Sequence, residues 1–232
     1  MPKQNLNAKR RSTWSNSPDQ PLFAALYREL QEGPLPWPRL VKSAVEVVLF
    51  GSRAQECAKP DSDWDLLCVG TESVRRIGAV HLVWIRPDQL FTSEWLGSEL
   101  AGHVATYGIW LLGAGTWRKQ VFVSPMAVTR KEQLLRARIQ ALVRYADDLS
   151  ASRRDYYGLR IRRDAQRLLI LRDGEAVPSS PLLDSQWDES MSPTRWIETC
   201  ISLDIQSETA NQSWPIVSAA SFARKPVLRS AK

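Results

Sequence analysis

VVLFGSRAQECAKPDSDWDLLCV, running from Val47 to Val69, decides the fold. An apolar strand runs into Gly51-Ser52, ten residues follow, and Asp63 and Asp65 then open a second apolar strand. Side chains alternate faces along a strand, so Asp63 and Asp65 point one way while Trp64 and Leu66 point the other. Two parallel carboxylates on a rigid strand repel each other unless a cation lies between them. Hard oxygen ligands of this kind suit Mg²⁺ or Mn²⁺, with waters and substrate phosphates as the remaining ligands. Gly51 has no Cβ, which lets the backbone approach a phosphate, and Ser52 adds a hydroxyl donor. A hairpin carrying two solvated acids is the plainer alternative, and the fixed spacing from Gly-Ser to Asp-x-Asp argues against it.

The elements around this stretch are read from hydrophobic period. Leu22, Leu26, Tyr27 and Leu30 place a helix over residues 21–32, ended by Gly33-Pro34. The prolines between Gly33 and Pro38 predict an extended connector. Strands are expected at Ala44 to Phe50, Trp64 to Val69, Ala79 to Ile85 and Tyr107 to Leu112, with a charged turn at Thr71 to Gly78 and a helix over Ser93 to Thr106. Beyond Val128 the period becomes helical. Leu135, Ile139, Leu142, Ala146 and Leu149 form one apolar face; Tyr157, Ile161, Ala165 and Leu168 form another. Two such helices joined near Ser150 predict an antiparallel hairpin.

In this order of elements, Gly51, Ser52, Asp63 and Asp65 with the Pro60-Asp61-Ser62 run resemble the nucleotidyltransferase superfamily of the DNA polymerase β type, most closely its minimal members. The resemblance extends over roughly Pro21 to Gly115. It implies an α+β fold, a mixed sheet with flanking helices followed by a helical C-terminal region. The expected organisation is a flexible arm at residues 1–20, a nucleotidyltransferase core at 21–120, a helical domain at 121–187 and a poorly ordered tail at 188–232, with a short helix at Thr194 to Leu203.

By resemblance, Asp63 and Asp65 hold the metal, and Gly51 with Ser52 binds the triphosphate. Arg53 follows directly, where its fork of donors suits a phosphate oxygen or, equally, a plain surface role; Lys59 has a weaker claim. The family usually carries a third carboxylate on a following strand. Here that position holds His81, which serves as general base or softer ligand, or marks a core that has lost catalysis. Asp88 lies past the strand end and is a poor substitute, while Glu46 on the first strand is a second acid that either joins the site or faces solvent. His103 follows Glu99 by four residues, which a helical pair explains.

Composition sets limits. The chain has 232 residues, 44% hydrophobic and 24% charged, enough for a sizeable core. No apolar run has the length of a membrane span, and the basic N-terminus is not followed by the apolar stretch of a secretory signal. Three cysteines, Cys57, Cys68 and Cys200, lack metal-ligand spacing and fit reduced thiols in a cytoplasm. Cys68 reads as a small core residue and the ten tryptophans as packing residues. The net charge of +6 permits acidic partners without naming one. Arg153, Arg160, Arg163 and Arg167 form a stripe on the second long helix, either a nucleic-acid contact or a solvated face diluted by Asp155 and Asp164.

The expected activity is Mg²⁺- or Mn²⁺-dependent transfer of NMP, AMP from ATP first among them, to a hydroxyl acceptor. A protein acceptor such as a helical toxin partner is favoured by resemblance. The alternatives are a degenerate binding module that keeps the fold and acts on a protein partner, and an RNA- or antibiotic-modifying transferase. For the antibiotic case an acidic cleft is needed, against which the arginine excess argues.

Overall fold

The computed structural model describes residues 21–31, 33–145 and 148–186, all within one compact unit that ends at Gln186. The expected arm, the tail with its short helix, Ala146 and Cys200 lie outside the described residues.

Chain order begins with α1 (Pro21–Gln31), α2 (Trp37–Ser43), β1 (Ala44–Phe50), α3 (Gly51–Ala54), β2 (Trp64–Gly70), β3 (Arg76–Ile77) and β4 (Val80–Ile85). It continues with α4 (Ser93–Leu96), α5 (Glu99–Tyr107), β5 (Ile109–Leu112), α6 (Pro125–Tyr145), α7 (Ala151–Arg172) and α8 (Ser180–Ser185). Among the described residues there are also two short 3₁₀ turns, Pro87–Gln89 and Thr116–Gln120. The architecture is α+β: a mixed five-stranded sheet in the order β3-β4-β2-β1-β5 with flanking helices and a helical C-terminal region. β1 pairs antiparallel with β2 and β5, β2 pairs parallel with β4, and β3 closes the edge antiparallel to β4.

Alternation sends the two sheet faces into separate cores. Val47, Leu49, Leu66, Cys68 and Leu82 pack with Leu26, Leu30 and Leu40 of α1 and α2. Val48, Phe50, Leu67, Val69 and Ile85 pack with Ala101 and Val104 of α5 and with Trp117. Burial of Cys68 pushes its thiol pKa up, so it behaves as an inert core residue.

The structure corrects the expected boundaries in four places. The second half of the Gly33–Pro38 connector begins α2, because Pro36 takes the cap and Pro38 falls in the first turn, where a missing N–H costs nothing. The charged turn contains β3, two residues long. The helix over Ser93 to Thr106 is two helices: α4 ends at Leu96, and Ser98 caps α5 by accepting from the Ala101 N–H at 3.1 Å. Finally, α8 had no strong period to announce it.

Glu46 is neither solvent-facing nor a site acid. It is 8% exposed, and its carboxylate accepts from the Gly115 N–H at 3.1 Å and the Trp117 Nε1–H at 2.9 Å. Those bonds tie the segment after β5 back onto β1. In the hairpin, α6 and α7 meet as an antiparallel pair joined through Ser150, which caps α7. Asp164 is buried between them, facing Lys131 at 3.5 Å, Arg167 at 3.7 Å and Arg138. Glu99 of α5 meets Lys131 at 2.8 Å and Arg167 at 3.8 Å, which binds the hairpin to the sheet layer. Among the described residues no helix is long and apolar enough to cross a membrane.

Candidate active site

Strand register builds one end of the sheet into a row. Phe50 stands opposite Asp65 across β1–β2, and Asp65 stands opposite His81 across β2–β4. Gly51 follows Phe50 directly, so the Gly-Ser turn, Asp65 and His81 converge. Gly51 has φ +77°, and a Cβ there would lie 2.6 Å from Asp65 Oδ2. Its glycine is required twice over, by the backbone angle and by the carboxylate packed against it. Gly51→Ala is expected to cost about 1–2 kcal/mol of stability from the left-handed angle alone. It should also displace the Asp65 carboxylate; chemical denaturation and titration with ATP·Mg²⁺ check both, and unchanged affinity would show that the contact is dispensable.

Asp65 is partly buried, and that burial raises its carboxyl pKa above the usual range. The hydrogen bond from His81 opposes the rise and the nearby charge of Asp63 adds to it. A carboxylate so placed gains most from a nearby cation. His81 Nδ1 lies 3.3 Å from Asp65 Oδ1, while the imidazole stays about half exposed at 47% of its side-chain area. Asp63, just before β2, accepts from Arg76 Nη2 at 2.8 Å. Arg76 sits on β3, opposite His81 in register. Sequence reasoning missed it because a two-residue strand has no period; the Arg75-Arg76 pair was the available signal.

Arg53 faces its own loop. Its Nη2 and Nε donate to the Ser62 carbonyl at 2.6 and 3.1 Å, and its guanidinium stacks 4.1 Å from the Trp64 ring. This staples α3 to the segment that delivers Asp63. Asp88 pairs with Arg86 away from the row, at 2.5 Å.

His103, read from the sequence as one half of a helical pair with Glu99, is corrected by the structure. Its ring nitrogens leave Glu99 to other partners: Nε2 accepts from the Gly51 N–H at 3.2 Å, and Nδ1 lies 2.7 Å from the Val177 carbonyl. Since a carbonyl only accepts and an N–H only donates, the neutral ring with hydrogen on Nδ1 satisfies both. Burial holds its pKa below the usual imidazole value, in agreement with that neutral form. The only sequence signal was a histidine on the inner side of α5.

The arginine stripe is largely occupied within the chain. Arg163 pairs with Asp184, Arg167 meets Glu99, Asp164 and the Ser180 hydroxyl, and Arg160 donates to the Tyr156 hydroxyl at 2.6 Å.

The donor set fits a hard divalent cation. Asp63 and Asp65 supply oxygens at an open sheet end, and no group of three or more His, Cys, Asp or Glu side chains able to hold a metal is gathered among the described residues. Mg²⁺ characteristically takes one or two protein carboxylates and completes its shell with waters and substrate phosphates. The His81 nitrogen is a softer ligand, better suited to other metals.

Residues 37–140, somewhat under half of the chain, match the nucleotidyltransferase domain family. That match supports nucleotidyl transfer in general for the matched stretch. Two solved structures are similar in part. A crystal structure of a toxin–antitoxin with AMP-PNP is 17% identical, with 47% of this chain and 94% of that chain covered and a TM-score of 0.25. A mutant of the toxin–antitoxin MntA-HpeT is 15% identical, with 53% and 96% covered and a TM-score of 0.25. No curated protein matches.

Proposed function

We propose that this protein moves a nucleoside monophosphate, AMP from ATP first, onto a hydroxyl of a protein acceptor. The observation that carries the reading is the convergence of the Gly51-Ser52 turn, Asp65 and His81 at one sheet end inside the matched domain. In the reaction an acceptor oxygen bonds to the α-phosphorus, the bond from α-phosphorus to the bridging oxygen breaks, and pyrophosphate leaves. Gly51 and Ser52 bind the triphosphate. Asp63 and Asp65 would hold Mg²⁺ or Mn²⁺, which neutralises charge developing on the phosphate oxygens. His81, oriented by Asp65 through Nδ1, takes the acceptor proton on its outer nitrogen. Arg53 keeps α3 and the Asp63 segment in register. A protein acceptor, such as a helical toxin partner, is supported by the resemblance to minimal nucleotidyltransferases; RNA acceptors are disfavoured because the arginine stripe is mostly spent on internal partners.

A binding module that kept the pocket without catalysis is the second reading, favoured by one observation: an imidazole stands opposite Asp65 where a third carboxylate is usual. One assay separates the two. Purified protein is incubated with cell extract, Mg²⁺ or Mn²⁺, and each of the four triphosphates labelled at the α or γ position. Transfer predicts a protein that gains α label and never γ label. No label from any triphosphate, with ordinary triphosphate binding and no gain of label on His81→Asp or from extracts of other sources, would favour the binding module. Absence of triphosphate binding as well as label would leave a degenerate module that kept the fold alone.

A further inference from the structure

The segment Gly51–Cys57, α3 and the turn after it, is held from behind by a segment more than a hundred residues later in the chain. After α7 the backbone reverses at Gly174, φ +75°, with the Glu175 N–H donating to the Ile170 carbonyl at 3.0 Å. Residues Ala176–Ser179 then pass against the loop and α5 as a strap. The Ser179 N–H donates to Gln55 Oε1 at 2.7 Å, and the Ser179 hydroxyl lies 3.2 Å from Cys57 Sγ. The Val177 carbonyl receives the His103 Nδ1–H, and His103 passes the restraint to Gly51. The Ala176 carbonyl accepts from the Tyr107 hydroxyl at 3.1 Å, one helical turn from His103. The strap is itself anchored, since Val177 is buried with Leu171 and Leu183. Three points of one loop, Gly51, Gln55 and Cys57, are thus tied to a single four-residue segment.

We propose that His103 and the strap Ala176–Ser179 are a positioning device for the triphosphate-binding loop, setting affinity for the nucleotide rather than the rate of the chemical step. The proposal rests on the nucleotidyl-transfer reading above. His103 is a positioning residue: it touches the loop backbone and no reacting atom. A preorganised loop binds phosphate without first losing conformational freedom, so loosening it weakens binding before it alters chemistry.

The test uses the full chain with His103→Asn, His103→Gln and Gln55→Leu. Asparagine places a donor where Nδ1 was and leaves Gly51 without its acceptor; glutamine reaches the Nε2 position and restores that acceptor. His103→Asn is expected to raise KM for ATP·Mg²⁺ about five- to tenfold with kcat within about twofold, the effect of one lost hydrogen bond. Amide exchange over Gly51–Cys57 should accelerate by about the same factor, and His103→Gln, which restores the Gly51 acceptor but not the donor to Val177, should recover both in part. If His103→Asn does not fold, Gln55→Leu carries the same expectation through the Ser179 contact. A fall in kcat with KM for ATP·Mg²⁺ unchanged in both histidine variants, or unchanged exchange over Gly51–Cys57, would overturn the proposal. Should the wild type neither bind ATP nor transfer it, the nucleotidyl-transfer reading fails, and loop exchange alone still decides whether His103 holds Gly51.

Discussion

Replacing Asp63 and Asp65 together by asparagine should lower nucleotidyl transfer at least about a thousandfold, because the cation's contribution is several kcal/mol and each 1.36 kcal/mol is roughly tenfold. Asparagine keeps the shape of each side chain and removes only the charges that would hold the metal. β2 survives the change, since its pairing to β1 and β4 is made by backbone groups over Trp64–Gly70. Asp63 is exposed and its contact with Arg76 is a surface ion pair, so stability should change by less than about 1 kcal/mol. Rates with Mg²⁺ and with Mn²⁺, beside a thermal unfolding curve, make the comparison. A double variant that keeps a tenth of wild-type activity would mean that the cation, and with it the reaction, is organised elsewhere.

The largest stability effect is expected far from the site. Asp164, 1% exposed, is the shared anion for Lys131, Arg138 and Arg167 between α6 and α7. Glu99 reaches two of those cations from α5, yet it is partly solvated and cannot replace a carboxylate at the centre of the hairpin. Asp164→Ala therefore leaves partly buried positive charge without its partner, which typically costs about 3–5 kcal/mol. Against a usual total stability of about 5–15 kcal/mol that is a substantial fraction. The midpoint of urea unfolding measures it. A loss below about 1 kcal/mol would show that Lys131 and the arginines find water or Glu99 instead.

Residues near in sequence were legible; residues near only in space were not. The two strands around Gly51-Ser52 and Asp63-x-Asp65 are where alternation and spacing placed them, because strand period is local information. The same alternation puts His81 beside Asp65 once β2 and β4 pair in parallel. The prolines near Trp37 were misread because proline is compatible with an extended chain and with the first turn of a helix alike, and only the following residues decide. β3 was too short to show a period. Glu46, Arg76 and His103 escaped for a common reason. Each takes its meaning from a partner beyond its own element: Gly115 and Trp117, Asp63, and Gly51 with Val177. Charge pattern on α7 misled in the opposite direction, since a stripe of arginines looks solvent-facing until Asp184, Glu99 and the buried Asp164 are seen opposite it.

Ala176–Ser179 lies well beyond residue 140, where the match to the nucleotidyltransferase domain family stops. The stretch that matches the family and the stretch that bonds to His103, Gln55 and Cys57 are therefore different lengths of chain. A fragment trimmed to the recognisable domain would keep Gly51, Asp63, Asp65 and His81 and lose the carbonyl that sets the tautomer of His103. Here the recognisable stretch is shorter than the packed one.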